Sequence, residues 1–105
     1  MKRYEVRFLA QAVTDLDSLF CYIADKSSYE IADRYLTRIE RVCLSLGSIP
    51  HRGTPVAGAV KGLRTMGFER RATLLFRVGK NSVEILRVLY GGRDLKLEIE
   101  RLGEE

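Results

Sequence analysis

Two apolar runs near the end of the chain limit its fold most. ATLLFRV (72–78) and VEILRVLY (83–90) flank GKNS (79–82), which reads as a tight hairpin turn. Both runs are apolar on both faces near their centres, as the central strands of a sheet are. The second run stops at Gly91-Gly92 and is followed at once by Arg93 and Asp94. Glycine accepts the positive φ that β-branched residues resist, so a sharp turn is expected there. Asp94 then caps a last short helix whose apolar side is Leu95, Ile99 and Leu102. Two readings of this corner stand side by side: a strand-to-helix turn only, or a turn that presents Tyr90 and Arg93 at the sheet edge.

The rest of the chain supplies the cover. Residues 3–9, RYEVRFL, alternate: Tyr4, Val6 and Phe8 point one way, Arg3, Glu5 and Arg7 the other. That is a half-buried strand. From Ala10 the period changes, and Val13, Leu16, Leu19, Phe20 and Ile23 mark an amphipathic helix to about Lys26. Ser27 with Glu30 three residues on reads as a capping box. A second apolar stripe follows: Ile31, Ala32, Tyr35, Leu36, Ile39, Val42, Cys43 and Leu46. Gly47 and Pro50 supply the stop. The connection between the helices is short, so they form an antiparallel hairpin. Residues 48–62 are too rich in Pro and Gly for a stable element, and LRTMGF (63–68) is a further short strand. The order β-α-α-β-β-β-α defines one α+β domain over 1–105: an N-terminal strand, a helical hairpin, a three-stranded antiparallel meander and a short C-terminal helix.

Composition excludes several functions. Cys21 and Cys43 are too few for a disulfide framework or zinc site, and both are expected as small, reduced, buried hydrophobes. His51 is the only histidine, so a histidine metal site or a two-histidine acid–base pair is out. No cofactor is implied. No run is long enough to span a bilayer, and the N-terminus lacks the h-region of a secretory signal, so a cytoplasmic chain is expected. Residues 61–93 hold eight Lys/Arg against two acids, while the remainder carries more acid than base. Basic character in the second half suits an acidic partner or a nucleic acid. A plain nucleic-acid-binding module is disfavoured, because there is no aromatic ribonucleoprotein-type strand, zinc spacing or helix-turn-helix pattern.

Several strings, in their order and spacing, carry a resemblance: DLDSLFCYIADKS followed by ADRYLTRIE, then KGLRTMGF, LLFRV and EILRVLYGGRDL. Together they resemble the ParE branch of the ParE/RelE toxin superfamily, the toxin halves of bacterial toxin–antitoxin modules. The resemblance covers roughly residues 3–96. It implies a protein that inhibits DNA gyrase, with nucleic acid met only indirectly, and a ParD-like antitoxin as partner, in a homodimer or a hetero-oligomer. It implies target contacts at the C-terminal corner, Tyr90, Arg93 and Arg87. An antitoxin helix with acidic contacts would meet Arg64, Phe68, Arg70, Arg71 and Tyr29. Tyr35 is a further contact or a core residue, with core packing the simpler reading.

The RelE branch instead cleaves mRNA in the ribosomal A site, which is the alternative function. Such cleavage requires a base, cations for the phosphorane and a proton donor. This chain departs from that pattern. Ala72 or Thr73 stands where RelE-like enzymes tend to carry a basic residue, and LKLEIERLGEE holds no Tyr or His. The expectation is a protein-binding toxin with no catalytic residues.

Overall fold

A computed structural model describes residues 2–58, 60–91 and 95–104. The elements run β1 (Glu5–Phe8), α1 (Ala10–Lys26), α2 (Tyr29–Ser45), β2 (Thr54–Pro55), β3 (Leu63–Phe68), β4 (Ala72–Val78), β5 (Ser82–Tyr90) and α3 (Leu95–Glu104). The expected α+β order holds, with one addition. The loop before β3 contributes the two-residue strand β2, antiparallel to β3 through Thr54–Thr65 and Pro55–Arg64.

The sheet order is β1-β5-β4-β3-β2. β1 lies parallel to β5, from Glu5 beside Ser82 to Phe8 beside Ile85. The apolar runs β4 and β5 are therefore interior strands. Each face of the sheet carries its own core. On one face the helical hairpin brings Leu19, Ile23, Leu36 and Ile39 against Leu74, Phe76, Ile85 and Val88. On the other, Leu63, Leu75 and Leu86 receive Leu95, Ile99 and Leu102 of α3. The alternation of β4 is what divides its side chains between the two cores. The Tyr4, Val6 and Phe8 side of β1 also packs on the hairpin core. Among the described residues, no helix is long and apolar enough to cross a membrane.

Local details differ from the sequence-based expectations. Ser28, not Ser27, caps α2: its Oγ accepts the Ile31 N–H at 3.2 Å. The residue three on from Ser28 is Ile31, so no carboxylate completes a capping box there. Helix α2 ends at Ser45 with Leu46 still in right-handed geometry, so Gly47 is not a left-handed stop. Its smallness serves a close approach. The Tyr4 N–H donates to the Gly47 carbonyl at 2.7 Å, and a Cβ on Gly47 would stand 2.8 Å from the Tyr4 carbonyl oxygen. On the helices, Val13 and Ile31 sit at the exposed border of their stripes, while Ala12 is fully buried. Cys43 is buried as expected, and burial pushes its thiol up to about 12. Cys21 is exposed, contrary to expectation. It lies two positions from buried Leu19 and Ile23, a spacing that turns it off the buried helix face.

The β3–β4 connection is three residues long, 69–71, with Glu69 and Arg70 both at positive φ, 47° and 62°. The Arg71 N–H closes it onto the Phe68 carbonyl at 3.1 Å. Two positive φ values in sequence are the geometry of a mirror-image hairpin turn, which normally uses Asn and Gly. Left-handed geometry costs an L side chain roughly 1–2 kcal/mol, partly offset because glycine loses more freedom on folding. Arg70→Gly should therefore stabilise the chain by about 0.5–1 kcal/mol. The readout is a higher urea midpoint with an unchanged slope; a lower midpoint would show that Arg70 makes a compensating contact.

Candidate partner-binding site

The four ends nearest that turn converge: the C-terminus of α1, the N-terminus of α2, the β3–β4 turn and the end of β5. They enclose an open cleft of about 450 Å³. Its cations are Lys26, Arg34, Arg38 and Arg71, against a single acid, Glu69. Its aromatic walls are Tyr22, Tyr35 and Tyr90.

Each wall has a local origin. Tyr22 and Lys26 lie four apart on α1, and Arg34 and Arg38 four apart on α2, so each pair shares a helix face. The Arg38 guanidinium grips Glu69 with two hydrogen bonds, Nε to Oε2 at 2.7 Å and Nη2 to Oε1 at 2.9 Å. This contact ties the strained turn to α2. It holds the Glu69 carboxyl below its ordinary range and the Arg38 guanidinium above its own. Both side chains are substantially exposed, so the pair itself adds little stability.

Tyr90 is half-buried in an aromatic cluster. Its ring lies 6.0 Å from Tyr22 and 6.0 Å from Tyr35, and Tyr35 meets Phe68 edge-on at 5.4 Å. Arg38 lies over the Tyr35 ring at 5.3 Å. Gly91 follows with φ 74°, and its N–H donates to the Arg71 carbonyl at 2.9 Å. The positive φ expected at the glycine pair is thus found at Gly91. Gly92, Arg93 and Asp94 lie outside the described residues, and with them the expected Arg93 contact and Asp94 cap.

Tyr35 is only 8% exposed, and its hydroxyl has no hydrogen-bond partner among the described residues. Burial, then the neighbouring Tyr90 and Glu69, push this phenol up to about 12.

The remaining expected contacts are dispersed. Arg70 and Arg71 are exposed at the turn. Tyr29 is 66% exposed and packs edge-on against Phe20 at 5.2 Å. Phe68 is buried in the hairpin core, so its ring is not offered to a partner in this conformation. Arg64 is occupied with the loop before β2, donating to the carbonyls of Arg52 at 2.9 Å and His51 at 3.2 Å.

Arg87 is placed differently from the expected target contact. It is buried, and forms two bonds to Asp15 of α1, at 2.8 and 3.0 Å, and one to Glu98 of α3 at 2.5 Å. These partners raise its already high pKa. The cause lies in strand pairing. Leu75 pairs with Arg87 and Phe76 with Ile85, so Leu86 is an extra residue in β5. This bulge re-aims the strand where β1 has already ended. Asp15 then stands in for the absent neighbour and accepts the Val88 N–H at 2.9 Å. Arg87 is a fastener between α1, β5 and α3.

An α-helical hairpin and a small C-terminal helix on opposite faces of a short mixed sheet make up the fold seen in RelE/ParE-like structures. Residues 6–95 match the family described as the ParE toxin of type II toxin-antitoxin system, parDE, and the chain belongs to that family. Its fold is similar to a chain of the chromosomal ParDE system from P. aeruginosa, at 23% identity and TM-score 0.73, covering 85% of this chain and 97% of that one. It is also similar to a chain of the RelBE2 toxin–antitoxin complex from Mycobacterium tuberculosis, at 24% identity and TM-score 0.65, covering 89% and 97%. The E. coli DinJ–YafQ complex provides a third likeness, at 14% identity and TM-score 0.58, covering 84% and 92%. No curated protein matches the sequence.

Proposed function

We propose that this chain inhibits DNA gyrase and is held inactive by a ParD-like antitoxin. The observation that carries the reading is the ParE family match over residues 6–95. The arrangement of charge supports it. Arg87, expected as a target contact, is spent on Asp15 and Glu98 and is not available to a reacting phosphate. Ala72 is buried at the start of β4, opposite Tyr90. In this reading Tyr90 and Arg93 form the target-facing corner, while Arg70, Arg71 and Tyr29 meet the antitoxin.

The test is gyrase supercoiling of plasmid DNA with purified toxin, wild type beside Arg93→Ala. The expected result is linear plasmid after detergent and protease, strongly reduced in the variant. Intact gyrase activity together with cleavage of A-site mRNA on ribosomes would place the chain with the RelE-type nucleases instead.

A further inference from the structure

We propose that the cleft between the helix ends and the β3–β4 turn seats an acidic side chain of the antitoxin, with Arg71 and the Tyr35 hydroxyl as its polar partners. The inference rests on the antitoxin reading above and names the chemistry by which that partner is recognised.

Three observations carry it. Charge comes first: four cations face the cleft against Glu69, which is already neutralised by Arg38. Lys26, Arg34 and Arg71 form no ion pair among the described residues. Second, Tyr35 is more than nine-tenths buried, yet its hydroxyl bonds to nothing among the described residues. Leaving a buried donor unmade is costly, and a carboxylate is the acceptor that answers it best. Tyr35 lines the cleft together with Glu69, Arg38 and Arg71. Because the hydroxyl is buried, an incoming carboxylate reaches it only if a neighbouring side chain moves. Third, Ile31 stands 49% exposed on the cleft wall and gives an apolar neighbour of the acid a place to pack.

A nucleotide fits less well. The Tyr35 ring is covered by Phe68, Tyr90 and Arg38, and Tyr22 and Tyr90 tilt against each other. Tyr22, 53% exposed, keeps free ring surface, but Tyr35 offers a base none to stack on.

The experiment measures affinity for the full-length antitoxin co-expressed with the toxin, using wild type, Tyr35→Phe, Arg71→Glu and, as a control on the exposed side of α2, Arg41→Glu. Tyr35→Phe should weaken binding about tenfold or more, the loss expected for a hydrogen bond to a charged group. It should melt at the same or a higher temperature, because it removes an unsatisfied hydroxyl. Arg71→Glu should weaken binding at least as much and flatten its salt dependence, while Arg41→Glu stays within about twofold. Wild-type affinity in both cleft variants would overturn the cleft assignment and leave the antitoxin reading intact. Failure of the wild-type chain to bind antitoxin would overturn both. Arg71-dependent binding of a single-stranded oligonucleotide, with antitoxin affinity unchanged, would reassign the cleft to nucleic acid.

Discussion

Arg87→Met should lower the unfolding free energy by about 3–5 kcal/mol, the usual cost of breaking a buried ion pair from one side. For a domain of this size that is a fall of roughly 12–20 °C in melting temperature. The side chains of Arg87, Asp15 and Glu98 are 11%, 8% and 15% exposed. Methionine fills much of the same volume, so the loss is electrostatic rather than a cavity. Two carboxylates lose the cation between them, and water reaches neither easily. The triple variant Arg87→Met, Asp15→Asn, Glu98→Gln should recover a large part of the deficit. The amide introduced by Asp15→Asn keeps an oxygen for the Val88 N–H, and no buried charge is left behind. Thermal melts of the single and triple variants decide the matter; equal stability of Arg87→Met and wild type would mean that the site is effectively solvated.

Phe76→Ala should cost a similar amount for a different reason. Phe76 is fully buried on β4, facing the helical hairpin. Truncation removes the transfer energy of the ring and leaves a cavity that rigid neighbours fill only in part, together about 3–5 kcal/mol. Phe76→Leu, which conserves most of the volume, should cost under about 1.5 kcal/mol. Leu44→Ala, at a residue 55% exposed, should stay within about 0.5 kcal/mol. Urea midpoints order the three variants, and a Phe76→Ala midpoint near that of Leu44→Ala would refute the core assignment. Small domains have only about 5–15 kcal/mol in total. Either large effect removes a substantial share of that without touching a contact residue.

Periodicity locates most of the elements because burial along one helix or strand is a local fact. Tyr4, Val6 and Phe8 face the core as their alternation requires, and Leu95, Ile99 and Leu102 form the buried side of α3. Strand β2 escapes because two residues are too few to carry a period. Arg87 reads as a target contact in sequence but not in space, because its partner Asp15 lies 72 positions away and a bulge at Leu86 breaks the alternation. Neither fact is visible within a strand-length window. The cleft is half legible. Arg71, Tyr90 and Tyr35 stand out in the sequence, whereas Lys26, Arg34 and Arg38 do not. Their signal is present as four-residue spacings on the two helices, Tyr22 with Lys26 and Arg34 with Arg38. It takes the tertiary fold to bring those two faces to the β3–β4 turn.

The parallel pairing of β1 with β5 also orders events in time. The strand that β1, β4 and α1 all lean on is synthesised after all three. Until Ser82–Tyr90 leaves the ribosome, β1 has no hydrogen-bonding neighbour and Asp15 has neither Arg87 nor the Val88 N–H to meet. Contacts between distant parts of a chain form late, since the intervening loop must close first. A nascent product that stops short of Ser82 therefore lacks an interior strand of its own sheet. Assembly of the cleft, with its Tyr90 wall, waits on the emergence of β5.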